Sequence, residues 1–488
     1  PIDFDFEKCA FDLKNDDEIK KLFFRLGFKS LVDRINSIKS ATITSNVSSA
    51  ATAQIASTSS NEAQQGELIG DELEEFYKNG IFSEKIYNIE KDLRPVLREI
   101  EKIGFLIDVK FLELALRQAE KGLGNTSPNP AVGAIVVKNG KIVGRGYHKY
   151  AGGFHAEVNA LKEAGYRSKG ATLYVTLEPC AHYGKTPPCT DVIIKSKIKK
   201  VVIAMKDVNP IVCGKGIKKL KNAGIKVEEG LLKDKAYKLN EAYIKYITTK
   251  IPYVILKAGQ SIDGKIATTN GESKWITGEE SRMLVQKLRF CVDAIMVGIN
   301  TVLKDNPNLI VYPISERSEW YRAQVKLNKH KRKLLRVILD SNLKIPLSAN
   351  VLKISPCAKT LIVTGLDVPK QKLIRIKKTG SDVLQVKLCN GKIKFKNLLK
   401  KLGRLEITSI LIEGGGEVNA SAIEEKIVDK ALFFISPKII GGRNAKTSIE
   451  GNGIKELKNA IALQDISVEK IDEDVLIEGY IKNAKCKM

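Results

Sequence analysis

Histidine, methionine and tryptophan are scarce in this 488-residue chain, at four, four and two copies. No stretch approaches the roughly eighteen consecutive apolar residues that would span a bilayer as a helix, which excludes a membrane-spanning helix as the expectation. The chain starts at Pro1, and no basic, apolar and small-residue succession of a secretion signal follows. It is therefore expected to be a fragment without a leader. Eight cysteines, Cys9, Cys180, Cys189, Cys213, Cys291, Cys357, Cys389 and Cys486, are too dispersed for a disulfide framework, and a reducing, cytoplasmic setting is expected.

What is present is a soluble globular composition, 43% hydrophobic and 28% charged, on a chain long enough for two or three separate cores. The formal charge of +25 is uneven: residues 1–110 hold 15 basic and 20 acidic side chains, leaving 66 and 36 for the remainder. A basic surface attracts either nucleic acid or small phosphorylated molecules. The lysines are scattered rather than clustered, so nucleic acid is an unlikely partner and a solvated lysine-rich surface is the plainer reading.

Residues 1–39 carry acidic starts and helical apolar spacing, as in Asp16-Asp17-Glu18 followed by Ile19, Leu22, Phe23 and Leu26. Residues 40–66 are Ser, Thr, Ala and Gln with almost no charge, which predicts a flexible linker. Residues 67–110 return to helical spacing through Ile86, Ile89, Leu93, Val96, Leu97 and Ile100, ending in an apolar turn at Gly104–Ile107. The stretches Pro1-Ile-Asp-Phe-Asp-Phe-Glu, Phe28-Lys-Ser-Leu and Asp92-Leu-Arg-Pro through Val109 resemble fragments of bacterial DNA polymerase I. The metal-binding carboxylates of polymerase or exonuclease chemistry are missing, so this part is expected to be non-catalytic, as a fusion or gene-model artefact.

From Phe111 helices alternate with short β-branched strands, the pattern of α/β layers. A helix is predicted over Phe111–Lys121, then a hairpin of Ala131–Val137 and Ile142–Tyr147 turned at Asn139-Gly140. Strands near Thr172–Thr176, Lys200–Met205 and Lys226–Glu229 alternate with helices beginning near His155, Pro188 and Gly214. The break at Lys250-Ile251-Pro252 separates a domain of residues 111–250 from one of residues 251–488.

In the first of these, His155-Ala156-Glu157 opens a helix, Pro179-Cys180 follows a strand, and Cys189 lies nine positions later. One imidazole and two thiolates suit Zn²⁺ and leave its fourth tetrahedral position for water. Glu157, two residues from the histidine, is placed to carry protons as general acid and base. Two alternatives stand beside this reading: buried thiols meeting a histidine by chance, or a structural zinc closed by Cys213 or His182.

Thr126-Ser-Pro-Asn-Pro-Ala-Val-Gly-Ala, Gly153-Phe-His-Ala-Glu-Val-Asn-Ala-Leu and Leu177-Glu-Pro-Cys-Ala-His-Tyr-Gly-Lys-Thr-Pro-Pro-Cys resemble the deaminase domain of the bacterial bifunctional riboflavin-biosynthesis deaminase/reductase family. Cytidine and tRNA adenosine deaminases usually have two residues between the cysteines; the eight found here point to the riboflavin branch. Lys185 is a candidate for a phosphate, and His182 and Asn129 for the pyrimidine.

In the second domain Leu411-Ile-Glu-Gly-Gly-Gly-Glu-Val-Asn-Ala-Ser places three glycines between an apolar strand and a helix start, where backbone can approach a pyrophosphate and free amides favour anions. A tight structural turn explains the same residues, and the spacing is not that of a Rossmann fingerprint. Lys257-Ala-Gly-Gln-Ser-Ile-Asp-Gly-Lys-Ile-Ala, Gly271-Glu-Ser-Lys-Trp-Ile-Thr-Gly and Gly298-Ile-Asn-Thr-Val-Leu-Lys-Asp-Asn-Pro resemble the reductase half of that family, to about residue 482. The resemblance implies NADPH contacts from Gly259, Trp275, Thr301, Asp305, Ser341, Gly415, Gly416, Glu417, Val418, Asn419, Ala420 and Ser421. It also implies ribose-phosphate contacts from Ser273, Arg289, Leu309 and Glu413. Trp275 alone would more often belong to a core. Tyr312 stands where the family often has Arg and weakens phosphate binding there; Lys304 or the basic loop Lys326–Lys333 are candidate substitutes, and a solvated surface is the other reading of that loop.

The expected architecture is α/β: a cytidine-deaminase-like three-layer domain followed by a dihydrofolate-reductase-like domain, with a helical, partly disordered N-terminal extension. The implied reactions are zinc-dependent deamination of 2,5-diamino-6-ribosylamino-4(3H)-pyrimidinone 5′-phosphate, then NADPH-dependent reduction of the ribosyl group to ribityl. Zn²⁺ and NADPH are the expected cofactors, with room for a homo-oligomer through the reductase domain. Two rivals remain: a nucleic-acid base deaminase, which leaves the second domain without a purpose, and a DNA-associated protein with decayed enzyme halves, against which the intact His155, Glu157, Cys180 and Cys189 set speaks.

Overall fold

A computed structural model describes residues 105–183, 187–311 and 333–481. The expectations for residues 1–39, 40–66 and 67–104, for Lys185, for Tyr312 and for loop residues 326–332 lie outside the described residues. The described residues from Asp108 onward form one compact unit containing two sheets.

Helix α1 (Phe105–Glu120) starts six residues before the expected Phe111, so Phe105–Ile107, read as part of an apolar turn, belongs to a helix. Asp108 explains the extension. It is buried, and accepts hydrogen bonds from the Tyr174 hydroxyl at 2.6 Å and from Lys200 at 2.8 Å, tying the first turn to the sheet. An acidic residue there also suits the positive end of the helix dipole.

The first sheet has five strands in the order β2-β1-β3-β4-β5: β1 (Gly133–Lys138), β2 (Lys141–Tyr147), β3 (Thr172–Leu177), β4 (Lys200–Met205) and β5 (Lys226–Glu229). β1 runs antiparallel to both β2 and β3, and β3, β4 and β5 are parallel. Between the strands come α2 (Ala156–Ala164), α3 (Cys189–Lys195) and α4 (Lys215–Asn222), followed by α5 (Lys233–Leu239) and α6 (Glu241–Thr249). Strand side chains alternate between faces. Ala134, Val136, Leu173, Val175, Val201 and Ile203 pack with α2, α3 and α4, whereas Ile135, Tyr174 and Val202 pack with Leu112, Ala115, Ala236 and Ile244 on the other face. The result is helix, sheet and helix in three layers.

Two glycines in β2 set how closely α2 approaches. A Cβ on Gly144 would lie 2.2 Å from the Ala160 carbonyl oxygen, and one on Gly146 2.2 Å from that of Ala156. Backbone lies on backbone here, and that contact fixes the helix carrying His155 and Glu157.

The second sheet has nine strands in the order β10-β9-β8-β7-β11-β6-β12-β14-β13. Its elements in chain order are β6 (Tyr253–Ser261), α7 (Glu279–Cys291), β7 (Ala294–Gly298), α8 (Ile299–Asp305), β8 (Leu334–Leu339), β9 (Ala358–Thr364), α9 (Lys370–Lys378), β10 (Asp382–Gln385), α10 (Phe395–Arg404), β11 (Ser409–Ile412), α11 (Gly416–Glu424), β12 (Lys430–Ser436), β13 (Leu463–Ile471) and β14 (Asp474–Ile481). Strands from β10 to β12 are parallel, while β14 and β13 add antiparallel to the β12 edge. Val254, Met296, Val337, Ile410 and Ile412 face one core with Phe395, Leu398 and Leu402; Ile295, Val297, Ile338, Ile362 and Leu411 face another with Val302 and Ile376. Burial on both faces accounts for the nearly continuous apolar strand sequences. Among the described residues, no helix is long and apolar enough to cross a membrane.

Candidate active sites

His155 is the N-cap of α2, Cys189 is the first residue of α3, and Cys180 sits in the loop after β3. Folding brings their ligand atoms within 4.8 Å of one another. His155 Nδ1 is 3.1 Å from Cys189 Sγ and 3.6 Å from Cys180 Sγ, and the Cys189 amide donates to Cys180 Sγ at 3.4 Å. Hydrogen bonding from Cys189 and His155 lowers the Cys180 thiol to about 4, against the opposing effect of burial. Its partner, Cys189, moves the other way, raised by the hydrogen bond to Cys180 and by burial. One thiolate beside an imidazole is a donor set ready for a soft or borderline divalent cation, so the residues fit Zn²⁺. Neither alternative fourth ligand joins the three among the described residues: Cys213 is exposed, and His182 is outside the cluster.

Glu157, 3% exposed in the first turn of α2, has its carboxyl pushed above the ordinary range by burial, with His155 opposing and Cys180 reinforcing the shift. His148, which carries no assigned role in the sequence reading, lies edge-on to His155 with ring centroids 5.3 Å apart. Its Nδ1 is 3.1 Å from the Phe154 carbonyl oxygen, and its Nε2 is 3.2 Å from Asn129 Nδ2. Burial holds this imidazole down to about 4, so it is neutral at physiological pH. The signal for it was only its being one of four histidines; its partners come from two separate loops.

The Cys180 loop is anchored by Glu178. Its buried carboxylate accepts four backbone N–H groups, from Asp207 at 3.3 Å, Gly214 at 2.9 Å, Gly216 at 3.0 Å and Ile217 at 3.2 Å. These include donors at the start of α4 that the helix itself cannot satisfy. Gly216 allows the approach, since a Cβ there would lie 2.0 Å from the Pro179 carbonyl oxygen.

In the second sheet a cavity of about 530 Å³ opens at the carboxyl ends of β6, β7 and β11. Gly259, Ser273, Thr301, Asp305, Ser341, Glu413, Gly415, Gly416, Glu417, Val418, Asn419 and Ser421 line it. Four other expected contacts are not among its lining residues. Ala420 is buried, Leu309 is packed in a core cluster with φ of 47°, and Trp275 is 64% exposed beneath the Arg282 guanidinium. Arg289 donates from Nε and Nη2 to the two oxygens of Glu413, each at 2.7 Å.

Comparison with known proteins resolves what these two sites belong to. The model of the cytidine and deoxycytidylate deaminase zinc-binding region matches residues 107–205, and that of the RibD C-terminal domain matches residues 252–477. The riboflavin biosynthesis protein RibD of Actinobacillus pleuropneumoniae is 44% identical over 376 residues, covering 77% of this chain and 96% of that protein. The chain belongs to the RibD family. RibD of Aquifex aeolicus is 45% identical over 371 residues, 76% of this chain and 98% of its own length. Among solved structures, Acinetobacter baumannii RibD aligns with a TM-score of 0.67 at 35% identity, covering 77% of this chain and 98% of that one. A Thermotoga maritima diaminohydroxyphosphoribosylaminopyrimidine deaminase/5-amino-6-(5-phosphoribosylamino)uracil reductase aligns with a TM-score of 0.64, also at 35%, covering 78% and 99%.

The expected architecture, a cytidine-deaminase-like domain followed by the dihydrofolate-reductase-like domain of RibD, is therefore the observed one. As a RibD, the chain is a bifunctional deaminase and reductase of riboflavin biosynthesis, with zinc and NADPH as cofactors. The cavity fits a dinucleotide on its own terms. Gly415 caps α11 with no side-chain hydrogen bond, and a Cβ there would meet nothing nearer than the Thr301 hydroxyl at 3.8 Å, so the helix entrance is open, while Gly416 lets the Thr447 carbonyl oxygen pack 2.5 Å from where a Cβ would stand. Asn419 lines the cavity with a buried Oδ1 that has no partner among the described residues, an acceptor available to a ligand.

Lys257, to which its motif assigns no role, also lines this RibD cavity. Burial lowers its ammonium below the ordinary range, with Glu413 opposing and Arg289 reinforcing. A lone charge inside the apolar strand Tyr253-Val-Ile-Leu-Lys-Ala was the available signal. Lys446 and Glu450 arrive from a loop distant in sequence, and no local pattern announces them.

Proposed function

We propose that residues 111–250 deaminate 2,5-diamino-6-ribosylamino-4(3H)-pyrimidinone 5′-phosphate and that residues 251–488 then reduce 5-amino-6-(5-phosphoribosylamino)uracil to the ribityl product. The carrying observation is the convergence of His155, Cys180 and Cys189 beside the buried carboxyl of Glu157. Zn²⁺ held by those three side chains supplies the Lewis acidity that activates water near neutral pH. Glu157 takes a proton from the attacking water and delivers it to the departing amine nitrogen, a role its raised pKa supports because the protonated form must be accessible. Asn129, held at His148, and His182, whose buried Nδ1 has no partner among the described residues, read the pyrimidine edge.

In the reductase cavity NADPH supplies the hydride. Gly415–Ser421 and Thr301 hold the pyrophosphate side, and Gly259, Trp275, Asp305 and Ser341 complete the cofactor contacts. Asp305 accepts from the Ser273 hydroxyl at 3.3 Å, which links the cofactor side to the sugar side. Ser273, Arg289, Leu309 and Glu413 serve the ribose phosphate. Reduction at C1′ opens the sugar, so the ring oxygen must gain a proton, and Lys257, with its lowered pKa, is placed in the cavity to supply one.

A homo-oligomer through the reductase domain is supported by β13, an edge strand with Ile466 and Val468 exposed. Cys180, Cys189, Cys213, Cys357 and Cys389 form no disulfide, which suits a reducing compartment. The lysines are scattered rather than clustered, which does not call for nucleic acid. The test is mass spectrometry of the diaminopyrimidine phosphate after incubation with zinc-loaded protein, with and without NADPH. Deamination without cofactor, then a gain of two hydrogens only with NADPH, supports both assignments and their order. No mass change from folded, zinc-containing protein sinks them.

A further inference from the structure

The two sheets meet at a seam where the end of α7 faces two ways. Arg289 points to the reductase side and grips Glu413. The next residue, Phe290, faces the deaminase side, where a Cβ on Gly124 would lie 2.5 Å from the Phe290 carbonyl oxygen and 2.6 Å from its ring. Just beyond the helix, Asp293 accepts the Ser127 hydroxyl at 2.8 Å. The same carboxylate oxygen is held by the amide of Thr408 at 2.7 Å and by its hydroxyl at 2.8 Å, so this acceptor is fixed by the residue that leads into β11. The Ser127 hydroxyl is also 3.2 Å from that of Thr408.

Ser127 lies in a tight turn closed by the Asn129 N–H donating to the Thr126 carbonyl at 2.8 Å. Asn129 in turn meets His148, whose ring abuts His155. A side chain at the entrance to β7 thus holds the turn that carries Asn129.

We infer that Asp293, through Ser127, is a positioning residue for deamination: the reductase sheet sets where Asn129 stands in the neighbouring site. The inference rests on the deaminase reading above. A fixed, charged acceptor makes a stronger and more directional tether than a neutral one. Losing it lets the turn drift by a fraction of its width, which is enough to cost binding when the contact is a single amide.

Steady-state kinetics on the full chain separate the possibilities. Deamination is followed without NADPH, and reduction is followed on pre-deaminated substrate. Ser127→Ala is expected to raise the deamination KM roughly tenfold with kcat little changed, while zinc content and both reduction constants stay at wild-type values. Ser127→Thr, which keeps the hydroxyl, restores the KM, and Asp293→Asn shifts it in the same direction as Ser127→Ala. An unchanged deamination KM in active Ser127→Ala would overturn the inference alone. So would an equal loss of both activities with lost zinc, because that marks a merely structural contact. A wild-type chain that turned over no pyrimidine would overturn the deaminase reading and this inference with it.

Discussion

Replacing Arg289 by Met exposes the energetics of the reductase cavity. The Arg289 and Glu413 side chains are 16% and 6% exposed, and two parallel N–H···O bonds of 2.7 Å join them. Removing one partner of a buried pair strands the other charge and costs about 3–5 kcal/mol. Lys257 remains beside Glu413, which places the expectation at the lower end, about 3 kcal/mol. For a domain of the size of residues 251–488 each kcal/mol moves Tm by roughly 2–4 °C, so a fall of roughly 6–12 °C is expected.

The pH dependence gives a sharper test of the same substitution. In the wild type, burial pushes the Glu413 carboxyl up, but Arg289 and Lys257 outweigh it and hold the group below its ordinary value. Its contribution is therefore complete above the ordinary carboxylate range and is lost as pH falls through the lowered value. Without Arg289, burial dominates and the sign reverses: the stranded carboxylate destabilises at neutral pH and is relieved by protonation in acid. Differential scanning calorimetry of both proteins at pH 7.5 and 5 should show a larger Tm deficit at pH 7.5, and Glu413→Gln in the Arg289→Met background should recover much of it. A deficit below about 1 kcal/mol, or one equal at both pH values, would refute the reasoning.

Glu157→Gln should reduce deamination by about 10²–10⁴-fold while NADPH-dependent reduction of the deaminated substrate is retained; parallel loss of both activities would count against separate sites. Chelation of zinc should reproduce that split and be reversed by added Zn²⁺, as read by activity and by metal analysis. Gly216→Ala, whose new Cβ would meet the Pro179 carbonyl at 2.0 Å, should displace the Cys180 loop and leave the purified protein substoichiometric in zinc; full zinc by elemental analysis would show that the loop accommodates the methyl group. Lys257→Met should lower reduction by about 10²-fold without affecting deamination, and a wild-type reduction rate would remove Lys257 from the proton transfer.

The metal cluster was legible because its chemistry is local: His155 and Glu157 share one helical turn, and Cys180 and Cys189 flank a single loop. The strand and helix order was legible for a similar reason, since each apolar stretch carries its own period. What escaped depends on distance in the chain. Asp293 meets Ser127 across 166 residues, and Glu178 organises amides from 29 to 39 residues away, so neither role leaves a local mark. The early start of α1 escaped because Asp108 gains its partners, Tyr174 and Lys200, only once the sheet has formed.

The glycines of β2 carry a consequence for how this enzyme tolerates change. Because α2 rests on β2 through main-chain atoms at Gly144 and Gly146, the height of the helix above the sheet acts as a gauge block that no side-chain volume can alter. His155 and Glu157 ride on that helix together. Side chains elsewhere in the hydrophobic layer can repack without changing this main-chain seat, so the placement of His155 and Glu157 over the sheet depends on Gly144 and Gly146 more than on the volume of the core around them.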